Sequence, residues 1–133
     1  MSNGDNLKLV KYWKDHSDYD IVTARHMFET KRYPYCLFLC HLSIEKILKA
    51  IIVWETRKPA LYSHNLVDLA KKTKIDFSSK QQEILADLTE FNLEARYPEW
   101  KKDFYKRASR SYTQKYYQET IKLQKWLKNY LKK

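Results

Sequence analysis

His41, Glu45 and Lys49 recur at four-residue spacing inside an almost continuously apolar run, Tyr35 to Trp54 (YCLFLCHLSIEKILKAIIVW). At about 100° per residue they fall on one stripe of a helix that is otherwise apolar around most of its circumference. Ionisable side chains taken inside a fold must be paired, because an uncompensated buried charge costs several kcal/mol. Glu45 followed by Lys49 has the favourable i, i+4 polarity, and His41 precedes Glu45 by one turn, so part of that pairing is available within the helix. The stripe then serves either as a structural ion pair or as a polar seam that another chain or a nucleotide completes.

Two further groups carry chemistry. His64 stands where a short helix is expected to begin, and an imidazole at a helix N-terminus is biased toward its neutral form, suited to a general base or hydrogen-bond acceptor. Arg96, Tyr97, Pro98 and Glu99 gather a cation, an aromatic ring and a carboxylate at the end of a later helix. The Arg96 guanidinium can answer the helix dipole, reach the Glu45 seam or grip a phosphate bidentately. Cys36, Cys40 and His41 fit a metal site poorly, because they lie within about a turn and a half of one helix; no metal site and no cofactor are expected. His16 and His26 sit near Asp15, Asp20 and Glu29, where exposed roles are expected. No nucleophile, base and orienting group can be assigned by spacing.

Charge is uneven along the chain. The whole protein carries 26 Lys and Arg against 16 Asp and Glu, a net of +10, and from residue 101 onward 11 basic side chains face only Asp103 and Glu119, a net of +9. Interleaved with them are Phe104, Tyr105, Tyr112, Tyr116, Tyr117, Trp126 and Tyr130. Cations that displace counterions and flat rings on which bases stack suit a nucleic-acid surface, with Lys122, Lys125 and Lys128 as candidate contacts. The same pattern also suits a solvated helix face whose rings point inward.

The elements that must position these residues are helices. With 133 residues, one domain spanning 1–133 with one core is expected. Gly4 is the single glycine, which leaves no internal means of building tight hairpin turns, a Rossmann fingerprint or a phosphate loop. Pro34, Pro59 and Pro98 each stand between periodic segments. Periodicity predicts five helices in an all-α antiparallel bundle of four or five. The first is capped by Asn3 or Asp5 and runs to about Glu29; the central one ends near Glu55. A short one from His64 to Lys72 is capped by Ser63, and a fourth opens with a Ser79/Gln82 capping box and stops before Pro98. The last runs from Tyr112 to Leu131, after an irregular stretch from Tyr97 to Ser111. The central run has the length of a membrane span, yet Glu45, Lys46 and Lys49 near its middle argue against insertion. With no signal-peptide pattern and two thiols suited to a reducing compartment, the cytoplasm is the expected location.

In this order, EKILKA at Glu45 to Ala50, HNLVDL at His64 to Leu69 and RYP at Arg96 to Pro98 resemble the HEPN domain, a family of small helical bundles named for nucleotide binding in eukaryotes and prokaryotes. The resemblance covers most of the chain to Tyr97. It implies a bundle that is often a homodimer and is commonly encoded beside a minimal nucleotidyltransferase, for which the helical protein looks like the substrate-binding half; some such pairs act as toxin and antitoxin. On that footing the chain is expected to be a non-catalytic partner of a minimal nucleotidyltransferase, binding a nucleotide or RNA. Arg96 and Lys49 would contact phosphate, Tyr97 would stack or orient, Glu45 would position Lys49 and Arg96, and His64 would accept a hydrogen bond. Other branches are metal-independent ribonucleases marked by Arg, four to six residues, then His. Arg57 and His64 fit that bare spacing, but with Lys58 directly after the arginine, Pro59 between them and no Tyr at the second position after His64. A purely dimeric interaction module is the remaining alternative.

Overall fold

The structure, a computed structural model, describes residues 3–132. Among them every regular element is a helix: α1 (Asn3–Glu29), α2 (Tyr33–Thr56), α3 (Leu66–Lys71), α4 (Ser79–Arg96), α5 (Pro98–Arg107) and α6 (Arg110–Leu131). Six helices thus stand where five were predicted, the addition being α5.

α2 is the centre, packed against each of the other five. Its apolar run explains why: from Ile47 to Val53 every residue is buried, so the helix has no face left for water. The three-residue link from α1 forces an antiparallel pair. Arg32 N donates to Met27 O at 2.7 Å and Lys31 N to Phe28 O at 3.1 Å, a Schellman-type closure that puts Lys31 in the left-handed region at φ 64°. Arg57 closes α2 by the simpler left-handed cap at φ 60°, its N–H donating to Val53 O at 2.9 Å. Both positions are ones glycine would favour, and a chain without internal glycine fills them with cationic residues.

Helix starts shift by a residue or two from the sequence expectation. α1 already begins at Asn3 with Asp5 in its first turn, so any cap lies outside the described residues. α3 is capped by Asn65, whose Oδ1 accepts from Asp68 N at 3.1 Å, and not by Ser63. In α4 the capping box is Ser78 with Gln81 in place of Ser79 with Gln82. α6 starts at Arg110, capped by Ser109, two residues before the expected Tyr112.

α5 escaped notice because it is short and polar on average, with Phe104 as its fully buried anchor. Proline at the start, Glu99 in the first turn and Lys106 and Arg107 in the last all complement helix geometry and dipole. Phe104 stacks on Phe91 at 5.7 Å, and Arg107 grips both carboxylate oxygens of Glu94 at 2.5 and 2.7 Å. Phe104→Ala is expected to cost about 3–5 kcal/mol and to raise amide exchange across residues 98–107 before the rest of the bundle. Exchange that rises uniformly would contradict this anchoring role.

Candidate ligand-binding site

Glu45 sits at the middle of α2, 4% exposed, and its carboxylate is divided between two partners. Oε1 accepts from His64 Nδ1 at 2.8 Å; Oε2 accepts from Lys49 Nζ at 3.2 Å. His41, fully buried one turn earlier, lies with Nε2 at 3.8 Å from Oε1 and at 2.7 Å from the carbonyl oxygen of His64. A carbonyl only accepts, so His41 Nε2 carries the proton and donates it. The helix-local pairing read from the sequence is therefore present, and the third partner is supplied by the segment between α2 and α3.

Burial holds the His41 imidazole down, to about 4. The bond to the His64 carbonyl and the Glu45 charge oppose that displacement, and the charges of His64 and Arg96 add to it. His41 is thus neutral at physiological pH, and its buried Nδ1 has no hydrogen-bond partner among the described residues. His64 differs from expectation: it precedes the α3 cap and does not begin the helix. Glu45 orients it instead. With Nδ1–H turned to the carboxylate, Nε2 is the nitrogen presented to a ligand.

Lys49 is 5% exposed, held between the rings of Trp13 and Tyr62 at 5.2 and 5.8 Å from their centroids. That enclosure offsets part of the cost of burying its ammonium. Arg96 does not reach the Glu45 seam. Its Nε donates to Asn92 Oδ1 at 2.8 Å and its guanidinium lies over Phe38 at 5.6 Å. There it borders a groove of about 140 Å³ between the start of α2, the end of α4 and α5, lined by Tyr35, Phe38, Ala95, Lys101 and Tyr105. Lys49 and His64 are not among the groove's lining residues, although Arg96 and His64 both act on the charge of His41. Tyr97, 47% exposed, joins α4 to α5 with its ring edge-on to Trp100 at 5.6 Å.

Tyr35 and Phe38 on α2 and Lys101 on α5 line the groove without having been assigned to a site from the sequence, and Tyr105 had been read only as one of the rings interleaved with the basic C-terminal region. For α5, the proline and acidic start with a basic end, given above, was the available signal. The expected trio on α6 separates. Lys122 lines a groove with Lys80, Glu119 and Trp126, whereas Lys125 and Lys128 line another with Asp18, Arg25 and Tyr117. Lys128 is tied to Asp18 at 2.8 Å and Lys122 lies 3.8 Å from Glu119. Arg57 is exposed at the end of α2 and its side chain has no hydrogen-bond partner among the described residues. Cys36 is no nucleophile: its hydrogen bond with Cys40 and burial hold the thiol far above the ordinary range. Among the described residues no group of three His, Cys, Asp or Glu side chains is placed to hold a metal ion, and no helix is long and apolar enough to cross a membrane.

A pKa held below the free value of 6.5 makes stability fall as pH falls. The His41 contribution is complete above pH 6.5 and is lost progressively down to about pH 4, roughly 3 kcal/mol in all. His41→Gln keeps a donor toward the His64 carbonyl without the titration. Urea unfolding at a series of pH values is expected to show the variant losing less stability than the parent over that window; parallel profiles would contradict the assignment.

Residues 10–132 match the family model described as HEPN domain. A solved structure with the same fold is the crystal structure of TT1696 from Thermus thermophilus, with a TM-score of 0.77, 15% identity, and 90% of this chain and 96% of that one covered. At that identity the likeness speaks to the fold alone. No curated protein matches the sequence. Because the family match runs from α1 to α6, the chain belongs to the HEPN domain family, a membership that supports a role connected with nucleotides or RNA in general.

Proposed function

We propose that this protein is a non-catalytic HEPN-type subunit that binds a nucleotide or RNA through the groove at Arg96 and works with a minimal nucleotidyltransferase in trans. The observation that carries the reading is the pairing of cation and ring on both sides of that groove: Arg96 over Phe38 at 5.6 Å and Lys101 over Tyr105 at 5.7 Å, with Tyr35 edge-on to Tyr105 at 6.4 Å. Two charged donors can take phosphate oxygens while the rings accept a base. Tyr97, next to Arg96 in the chain, is not among the residues lining the groove, and an orienting role for it would need the ligand to extend beyond them.

Lys49, buried and already paired, acts in this reading as the anchor of the Glu45 seam and not as a phosphate contact. Glu45 positions Lys49 and His64, with no bond to Arg96. The basic side chains of α6 add a longer-range attraction for polyanions, Lys122 on one side and Lys125 and Lys128 on the other. The nucleotidyltransferase partner is proposed on the family resemblance alone. Self-association as a homodimer is supported by Tyr12 and Tyr19, exposed two turns apart on α1.

One observation favours the rival reading, a metal-independent ribonuclease. The Glu45–His64 bond at 2.8 Å leaves Nε2 able to exchange a proton with a 2′-hydroxyl, with Arg57 as the charge stabiliser. A single set of assays separates the two. Under the proposed function millimolar ATP or a short RNA raises the melting temperature, and Arg96→Ala or Lys101→Ala weakens binding by about tenfold or more. RNA cleavage by the parent would favour the rival over the non-catalytic reading, and cleavage that survives His64→Ala would remove His64 from it. No shift from nucleotide or RNA, with or without a nucleotidyltransferase partner, would overturn the binding reading.

A further inference from the structure

Tyr62 has no part in the groove, yet it is 88% exposed, more than any other large apolar side chain among the described residues. A ring left in water this way is worth explaining when its surroundings hold it in place. Tyr62 is so held. The Lys49 ammonium lies 5.8 Å from its centroid and the His64 ring meets it edge-on at 5.3 Å. Both neighbours are themselves fixed by the Glu45 carboxylate. The ring is therefore backed on one side by a buried cation and a positioned imidazole, with most of its surface open to solvent.

A cation behind a ring draws on its π electrons and makes the outer face a better partner for an electron-rich aromatic system. The segment between α2 and α3 adds Arg57 and Lys58, both exposed, and contains no Asp or Glu. That balance matches a strand carrying phosphates on either side of a stacked base. It matches an apolar protein side chain less well. Bases of a duplex are already stacked on one another, so the open face suits an unpaired one.

We propose that Tyr62 is a stacking platform for an unpaired nucleobase of single-stranded RNA, backed by Lys49, with Arg57 and Lys58 meeting the flanking phosphates. The proposal rests on the RNA-binding reading above but uses residues outside the Arg96 groove. The test is fluorescence anisotropy of a labelled 12-nucleotide oligoadenylate, with the same strand in a duplex and inorganic polyphosphate as comparison probes. Tyr62→Phe is expected to bind like the parent, and Tyr62→Leu to bind oligoadenylate about tenfold more weakly with its affinity for polyphosphate unchanged. Leucine keeps an apolar cover on Lys49, and an unaltered melting temperature shows that the fold is intact.

Equal affinity of Tyr62→Leu and the parent for oligoadenylate would overturn the proposal, as would an equal loss for polyphosphate or for the duplex. A leucine variant that keeps RNA affinity but no longer self-associates in sedimentation would assign Tyr62 to a protein interface instead. If Tyr62→Leu binds normally while Arg96→Ala does not, the stacking role alone fails. If the parent retains no RNA, the binding reading fails and takes the stacking role with it.

Discussion

The carboxylate of Glu45 is the constraint around which the rest of this bundle is arranged. A charge 4% exposed in the middle of the most apolar helix is tolerable only when its oxygens are occupied, and removal of one member of such a set typically costs 3–5 kcal/mol. Lys49 occupies one oxygen from the next turn of the same helix, which costs the chain nothing in topology. His64 occupies the other from a different part of the chain, so satisfying Glu45 requires the segment after α2 to fold back along it. The His41 bond to the carbonyl of His64 fastens the same residue a second time. Two polar contacts from α2 thus converge on one residue of a connecting loop.

This double attachment links the core to the surface. His64 fixes the neighbouring Tyr62, and Tyr62 with Trp13 encloses Lys49, so the loop, α1 and α2 hold one another through a single ionic centre. The groove at Arg96 has a separate origin. It exists because α5 docks through Phe104 and brings Lys101 and Tyr105 opposite Tyr35 and Phe38. The charges of His64 and Arg96 both bear on the buried His41 imidazole, after its burial and its own partners.

How far the sequence could show this depended on whether each contact was local. The apolar run of α2 and the Glu45–Lys49 pair were legible, since both are properties of a single helix. The HEPN motifs were legible too, and the family match extends over both. The Glu45–His64 bond was not, because nothing in spacing tells which distant side chain completes a buried carboxylate. Arg96 was assigned that place, and it bonds Asn92 one turn back instead. Helix α5 was hidden by its shortness and its polar average, with Phe104 the one fully buried side chain among those described in it. Lys122, Lys125 and Lys128 look like one row in the sequence, yet steps of three residues turn by about 60° each, enough to carry them into different grooves. Capping residues slipped by one at α4 because Ser78 and Ser79 each have a glutamine three positions on.

The most direct test of the Glu45 centre is the position of the imidazole protons, read from long-range proton–nitrogen correlations of the four histidines at pH 9. The structure requires His41 to be protonated on Nε2 and His64 on Nδ1, opposite tautomers in adjacent rings, with Glu45→Gln disturbing the His64 signal. A spectrum in which His64 averages freely between its tautomers, as exposed His16 and His26 should, would mean that Glu45 does not hold it, and the account built on that bond would fall.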